Sequence, residues 1–161
     1  IKKNNLIVMA LNTNQHIPEN EINFRVVCHP NRIISDSFFY KDIKTNLITP
    51  FSMMDRNLRK LLFIDNKTIF DYGFKISTNK KLVVKENYCQ FNLPLAIVYS
   101  ISVCLSANVS KTFLAGFDGY KKNQLQQIEM QKTINLFLKN NKNLNLKSLI
   151  STKYTLNRRQ A

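Results

Sequence analysis

The segment Leu93 to Ala107 is apolar almost throughout and opens at Asn92 and Pro94. A second apolar run, Thr112 to Ala115, follows closely and stops at Gly116-Phe117-Asp118-Gly119-Tyr120. Asn ahead of a helix satisfies its free N–H groups, and Pro is tolerated in the first turn, where no intrahelical donor is lost. The order is therefore helix, tight turn, buried strand and glycine loop. It is the second half of a parallel-sheet unit, and in such sheets ligands gather at the loops leaving the carboxyl ends of the strands. A chain with this segment is constrained to an α/β architecture.

The rest of the chain alternates in the same way. Strands are expected at Leu6–Leu11, Phe24–Cys28, Leu47–Thr49, Thr68–Phe70, Thr112–Ala115 and Leu146–Ile150. Helices are expected at Asn31–Phe39, Met53–Leu62, Leu93–Ala107 and Asn123–Leu138, the last with Leu125, Ile128, Ile134, Phe137 and Leu138 on one broad face. Phe74–Glu86 alternates loosely and reads as a hairpin insertion, and Asn140–Asn145 as a polar linker. Continuous apolar strands belong in a sheet covered on both faces. No repeat and no composition shift marks a boundary, so 161 residues are expected to form a single domain.

Cys28, Cys89 and Cys104 are odd in number, form no C-x-x-C pair and sit among apolar neighbours, which reads as reduced thiols in a cytoplasmic protein. Ile1-Lys2-Lys3-Asn4-Asn5 leads into a strand-like run and lacks the features of a signal peptide. The Leu93–Ala107 segment is shorter than the roughly 20 residues a membrane span needs, so no transmembrane segment is expected. The net charge is +14. Its lysines are scattered among Asn and Ile with no run longer than two, so it reads first as a solvated basic surface, then as a phosphorylated small-molecule preference, and not as specific nucleic-acid binding.

On this scheme polar residues collect at strand ends. Asn12, Asn14, Gln15 and His16 follow the first strand; His29, Pro30, Asn31 and Arg32 follow the second; Pro50, Phe51 and Ser52 the third; Gly116, Asp118 and Tyr120 the fifth. In a parallel sheet these loops open on one edge, and neutral hydrogen-bonders, one cation and one carboxylate would converge there. Each has a plainer reading. Either histidine can satisfy a backbone group, Asn12 and Asn14 suit turns, and Asp118 between two glycines suits a turn cap. Arg32 is harder to explain structurally, because a cation at a helix start opposes the dipole.

His16 and His29 have no third ligand at metal spacing, so neither a metal nor a cofactor is expected. With only Gly73, Gly116 and Gly119 in the chain, no glycine-rich phosphate cradle can form. Any phosphate is expected at a helix N-terminus, best at Gln90-Phe91-Asn92-Leu93-Pro94.

The chain also resembles known families. It carries A-L-N-T-N-Q-H-I-P-E from Ala10, V-C-H-P-N-R from Val27, P-F-S from Pro50, E-N-Y-C from Glu86 and L-A-G-F-D-G-Y from Leu114. These segments resemble the domain at the C-terminus of aldolase-like proteins of surface-polysaccharide gene clusters, named by analogy with 4-hydroxy-2-oxovalerate aldolase. More distantly, Asn92 to Tyr120, the Asn14-Gln15 pair and Cys28-His29-Pro30 are similar to the core motifs of Campylobacter-type bacterial sialyltransferases.

The resemblance implies a Rossmann-like α/β fold, a mostly parallel sheet flanked by helices, and a place in lipopolysaccharide or other surface-glycan biosynthesis. It implies a nucleotide-activated sugar, of the CMP–acidic sugar kind, or another phosphorylated small molecule as ligand. Asn12, Asn14, Gln15, His29, Arg32, Asn92, Gly116, Asp118 and Tyr120 are then the binding residues. Against the family pattern, Leu93-Pro94 replaces a Ser-Gly at the helix start, and no histidine lies beyond His29 to act as the transferase base. The related domains begin with a further strand and a G-x-G-P-S loop, which this chain is expected to lack. Binding is thus expected ahead of glycosyltransferase activity, and a dimerisation or accessory domain of an aldolase-like lyase, as homo-oligomer or fusion partner, is the third reading.

Overall fold

The computed structural model describes residues 6–62, 68–79, 81–141 and 144–156. The expected Ile1–Asn5 lead, Lys80 in the hairpin segment and positions 142–143 of the polar linker lie outside the described residues. Contacts divide the chain into two compact units, Ile1–Val103 and Cys104–Ala161. The secondary structure is mixed α/β, and among the described residues every strand pairing but one is parallel.

In the first unit, β1 (Met9–Leu11), β2 (Phe24–Val26), β3 (Asn46–Thr49) and β4 (Ile69–Asp71) form an all-parallel sheet in sequence order. Right-handed crossovers that always step the same way put their helices on one face. Accordingly α1 (Pro30–Ser35), α2 (Ser37–Asp42) and α3 (Arg56–Leu62) share one buried cluster with the sheet, built on Val27, Ile33, Tyr40, Leu47, Leu58 and Leu62. Asp55 starts α3 by accepting the N–H groups of Asn57 and Leu58 on Oδ1, at 2.8 and 2.9 Å.

Several elements differ from their expected bounds for local reasons. Strand β1 is only three residues long because the backbone ladder gives way to a side-chain bond at Asn23. Val8 donates its N–H to Asn23 Oδ1, and Leu6 and Ile7 stay exposed. The expected helix Asn31–Phe39 is two helices. Asp36, at φ −108° and ψ 21°, breaks it, while Ser35 Oγ bonds both Arg32 O and Asp36 Oδ1 and competes with the helical ladder.

The chain runs from β4 through Tyr72 into β5 (Gly73–Ile76) and changes partner there. Tyr72 N–H still bonds Thr49 O, whereas Gly73 N–H bonds Asn87 O at 2.8 Å. Strand β7 (Tyr88–Phe91) pairs parallel with β5 on one side and antiparallel with β6 (Val83–Val84) on the other. The hairpin expected within Phe74–Glu86 is not formed there: β5 and β6 do not pair, and the antiparallel pair is β6–β7, which runs past Glu86 to Phe91. A Cβ on Gly73 would fall 2.9 Å from Tyr88 Cβ, so only glycine fits where the strand crosses over.

Helix α4 (Ala96–Ser106) starts later than Asn92 and Pro94 suggest, with the Leu95 carbonyl accepting from Tyr99 N. Ser100 and Ser102 return their hydroxyls to the Ala96 and Val98 carbonyls, which lets two serines sit in a buried helix without orphan donors. The Tyr99 hydroxyl donates to the Tyr72 carbonyl, and the two rings lie 5.5 Å apart.

In the second unit, β8 (Thr112–Leu114) and β9 (Leu146–Ser148) pair in parallel and α5 (Leu125–Asn140) connects them. Ile134, Leu138 and Tyr154 form its core, with Phe117 stacked 5.0 Å from Tyr154. The broad face expected for α5 needs correction: Leu125 and Ile128 are 65% and 42% exposed. At about 100° per residue Leu125 points away from Ile134, and the buried face is completed instead by Gln127 and Thr133.

Candidate functional site

Within the four-stranded sheet, Leu11 lies opposite Val26, and Val26 opposite Ile48. The loops after β1, β2 and β3 thus leave at one level and on one edge, as parallel pairing requires. Ala115, expected on that edge too, follows β8 in a different sheet and in the second unit.

The loop after β1 is fixed from beneath by a residue that the sequence reading passed over. Arg25, in the middle of β2, is 1% exposed. Its Nη1 donates to the carbonyls of Asn12 and Asn14 at 3.1 and 3.0 Å, and its Nε and Nη2 to the Glu19 carboxylate, the closest contact 2.5 Å. The Phe39 ring lies 4.8 Å from the guanidinium carbon, and Thr45 Oγ1 donates to Glu19. The Arg25 hydrogen bond holds the Glu19 carboxyl below its ordinary range against the opposing effect of burial. The signal in the sequence was a lone Arg inside the apolar run Phe24–Cys28 with Glu19 just upstream.

Above this anchor Asn12 takes a left-handed φ of 51°, which Asn tolerates. Asn14 Oδ1 accepts the His16 N–H, an Asx turn, and Gln15 is exposed. Thr13 Oγ1 bonds Asp36 Oδ2 at 3.1 Å and ties the loop to the end of α1. The turn reading of Asn12 and Asn14 therefore holds for their backbone, and the side-chain amides of Asn12 and Gln15 have no hydrogen-bond partner among the described residues.

His29 is the N-cap of α1. Its Nδ1 accepts from Asn31 N at 3.2 Å and Pro30 occupies the first helical position. An accepting Nδ1 places the ring proton of the neutral form on Nε2, which leaves one donor for a ligand. Arg32 is exposed in the first turn, and among the described residues no carboxylate pairs with its guanidinium. It is an exposed cation among the neutral hydrogen-bonding groups of the first two loops.

Two further residues stand on this edge. Thr49 is fully buried with its hydroxyl unpartnered among the described residues, and Asp71 lies opposite it in register. Asp71 is exposed, and its Oδ1 accepts Ser52 N–H at 3.1 Å. The sequence signal was an acid closing an apolar strand.

Asn92 does not join the group. It follows β7, whose last residue Phe91 lies opposite Ile76 in the three-stranded sheet and not in the four-stranded sheet that carries the other loops. Its Oδ1 is shielded without a partner among the described residues, and it does not cap α4.

The second unit holds Gly116, Asp118 and Tyr120. Gly116 has φ +67° and open space around it, and Gly119 has φ +91°. The loop is fastened by α5: Gln127 Oε1 accepts Tyr120 N–H at 2.9 Å while its Nε2 donates to the Lys153 carbonyl. Lys153 N–H bonds Asp118 O, and Thr152 Oγ1 bonds Phe117 O. One turn on, Gln131 pairs with the backbone of Thr155 through both amide atoms. The Asp118 carboxylate caps nothing: it is exposed, with no partner among the described residues. The Tyr120 ring is 50% exposed.

A cleft of about 910 Å³ opens at the other end of the sheet, by the amino ends of β2 and β3, where Glu19, Asn23, Ile43, Thr45 and Asn46 line it. All three cysteines are free. Burial pushes the Cys28 thiol up to about 12 and Cys89 up to about 11, so neither is a poised nucleophile. Among the described residues no helix is long and apolar enough to cross a membrane. No protein-family model, curated protein or solved structure matches the chain.

Proposed function

We propose that the chain binds a nucleotide-activated sugar, or a phosphorylated small molecule of that kind, at the carboxyl edge of a Rossmann-like sheet in its first unit, as a cytoplasmic component of surface-glycan assembly. The observation that supports this reading is the guanidinium of Arg32, unpaired among the described residues, on the edge where the loops after β1, β2 and β3 come out together. An exposed guanidinium with no carboxylate partner is available to an anion. Asn12, Asn14, Gln15 and the His29 Nε2–H supply neutral hydrogen bonds of the sort a ribose or a base takes, and Asp71 an acceptor for hydroxyls. Asn92 follows β7 in the three-stranded sheet and is not part of this edge. Gly116, Asp118 and Tyr120 enter on their own terms, as a second exposed loop with a carboxylate that suits sugar hydroxyls. The free thiols fit a reducing compartment.

Titration of the labelled protein with CMP, followed by amide resonances, tests the reading. Asn14, Gln15, His29 and Arg32 are expected to shift together, and Arg32→Ala to weaken binding by about 1.5–3 kcal/mol if a charged group is its partner. Unmoved resonances with CMP and with a CMP-linked sugar would overturn it.

A further inference from the structure

We propose that Arg25 is the positioning residue of this site, setting the conformation in which the Asn12–Gln15 loop meets its ligand; the inference rests on the ligand reading of the carboxyl edge. The crossover from β1 to β2, residues 12–23, contains no α-helix, only a 3-10 turn at Glu19–Glu21. Its backbone groups need partners from elsewhere. Arg25 supplies them from below, reaching the crossover at the Asn12 carbonyl, the Asn14 carbonyl and the Glu19 carboxylate.

A guanidinium is planar and its donors are rigidly spaced, so the points it binds are held in fixed relation to one another. Because Arg25 is 1% exposed, water cannot replace a lost partner, and its charge stays tied to Glu19. Glu19 is itself aimed by Thr45, just ahead of β3. A relay thus runs from Thr45 through Glu19 and Arg25 to the loop, and the left-handed turn at Asn12 sits at its end. Lysine in this place would keep the charge and lose the fork.

The test compares Arg25→Lys and Glu19→Gln with the natural protein by amide hydrogen exchange and by CMP titration. The backbone amides of Asn14 and His16, bonded to the Leu11 carbonyl and to Asn14 Oδ1, report on the loop; those of Asn12, Val27 and Leu47, bonded to carbonyls of neighbouring strands and their flanks, report on the sheet. Arg25→Lys is expected to speed exchange in the loop about tenfold with the sheet amides within about twofold, and to raise the Kd for CMP about tenfold. Glu19→Gln should do the same more weakly. Exchange that rises equally in loop and sheet marks Arg25 as ordinary structural support and overturns the proposal, as does a loop left unchanged by both variants. Selective loosening in a protein that binds no CMP, natural or variant, upholds the role of Arg25 in the loop and removes the ligand reading instead.

Discussion

A Cβ placed on Gly119 would lie 2.9 Å from Oε1 of Gln127, the atom that accepts the Tyr120 N–H. The glycine and the glutamine are thus one device: the chain turns left-handed at φ +91° and presents its next amide to a buried side chain on α5. Gly119→Ala must strain that φ and displace Gln127 or Lys153, whose Cβ is 3.0 Å away. A loss of about 2–4 kcal/mol is expected from urea unfolding. Gly116→Ala strains φ alone, in open space, and should cost about 1–2 kcal/mol. Equal losses would contradict the packing argument.

Stability should depend on pH through Glu19. Its folded-state carboxyl titrates below the ordinary 4.5, chiefly through the Arg25 hydrogen bond. The folded state therefore binds its proton less readily than the unfolded chain. The contribution is fully present above the unfolded value and is lost as pH falls through the lowered folded one. Urea midpoints measured from pH 6 downward should fall less steeply for Glu19→Gln than for the natural protein in that acid window.

Asp118→Asn separates structure from recognition. The carboxylate touches nothing among the described residues, so unfolding free energy should change by no more than about 0.5 kcal/mol. A larger loss would restore the turn-cap reading, whereas weakened sugar binding at unchanged stability would assign the carboxylate to the ligand.

The thiols offer a check on the core of the first unit. With Cys28 at about 12 and Cys89 at about 11, both almost wholly buried, neither should react with a disulfide reagent at neutral pH on the time scale of a free thiol. Both should react at once in urea. Prompt reaction of two or more thiols in the folded protein would show a looser packing of β2 and β7.

Much of the strand and helix order could be read from periodicity, because each apolar run must be covered. Phe24–Val26, Asn46–Thr49 and Thr112–Leu114 lie where those runs predict. Strand β7 was not among the expected strands: Tyr88–Phe91 is only four residues long and stands directly ahead of the Asn92–Pro94 helix opening. At the candidate site, His29 and Arg32 follow directly from a strand end and a helix start. Arg25 does not: local sequence shows only a charge in an apolar strand, and its partners lie 6, 11 and 13 positions away.

What residue order alone dictated is the α/β alternation, the parallel sense of the first four strands that it makes probable, and the polar character of the loops that follow them. These depend on side-chain hydrophobicity and short-range backbone preference, which act within a few positions. Which polar residues are free to act was decided by tertiary structure. Gln127 and Arg25 are consumed by distant backbone groups, Asn92 follows a strand of the three-stranded sheet, and among the described residues Arg32 and Asp118 have no partner. Hydrogen bonds and register join residues far apart in the chain, and buried polar groups must find such partners wherever the fold brings them.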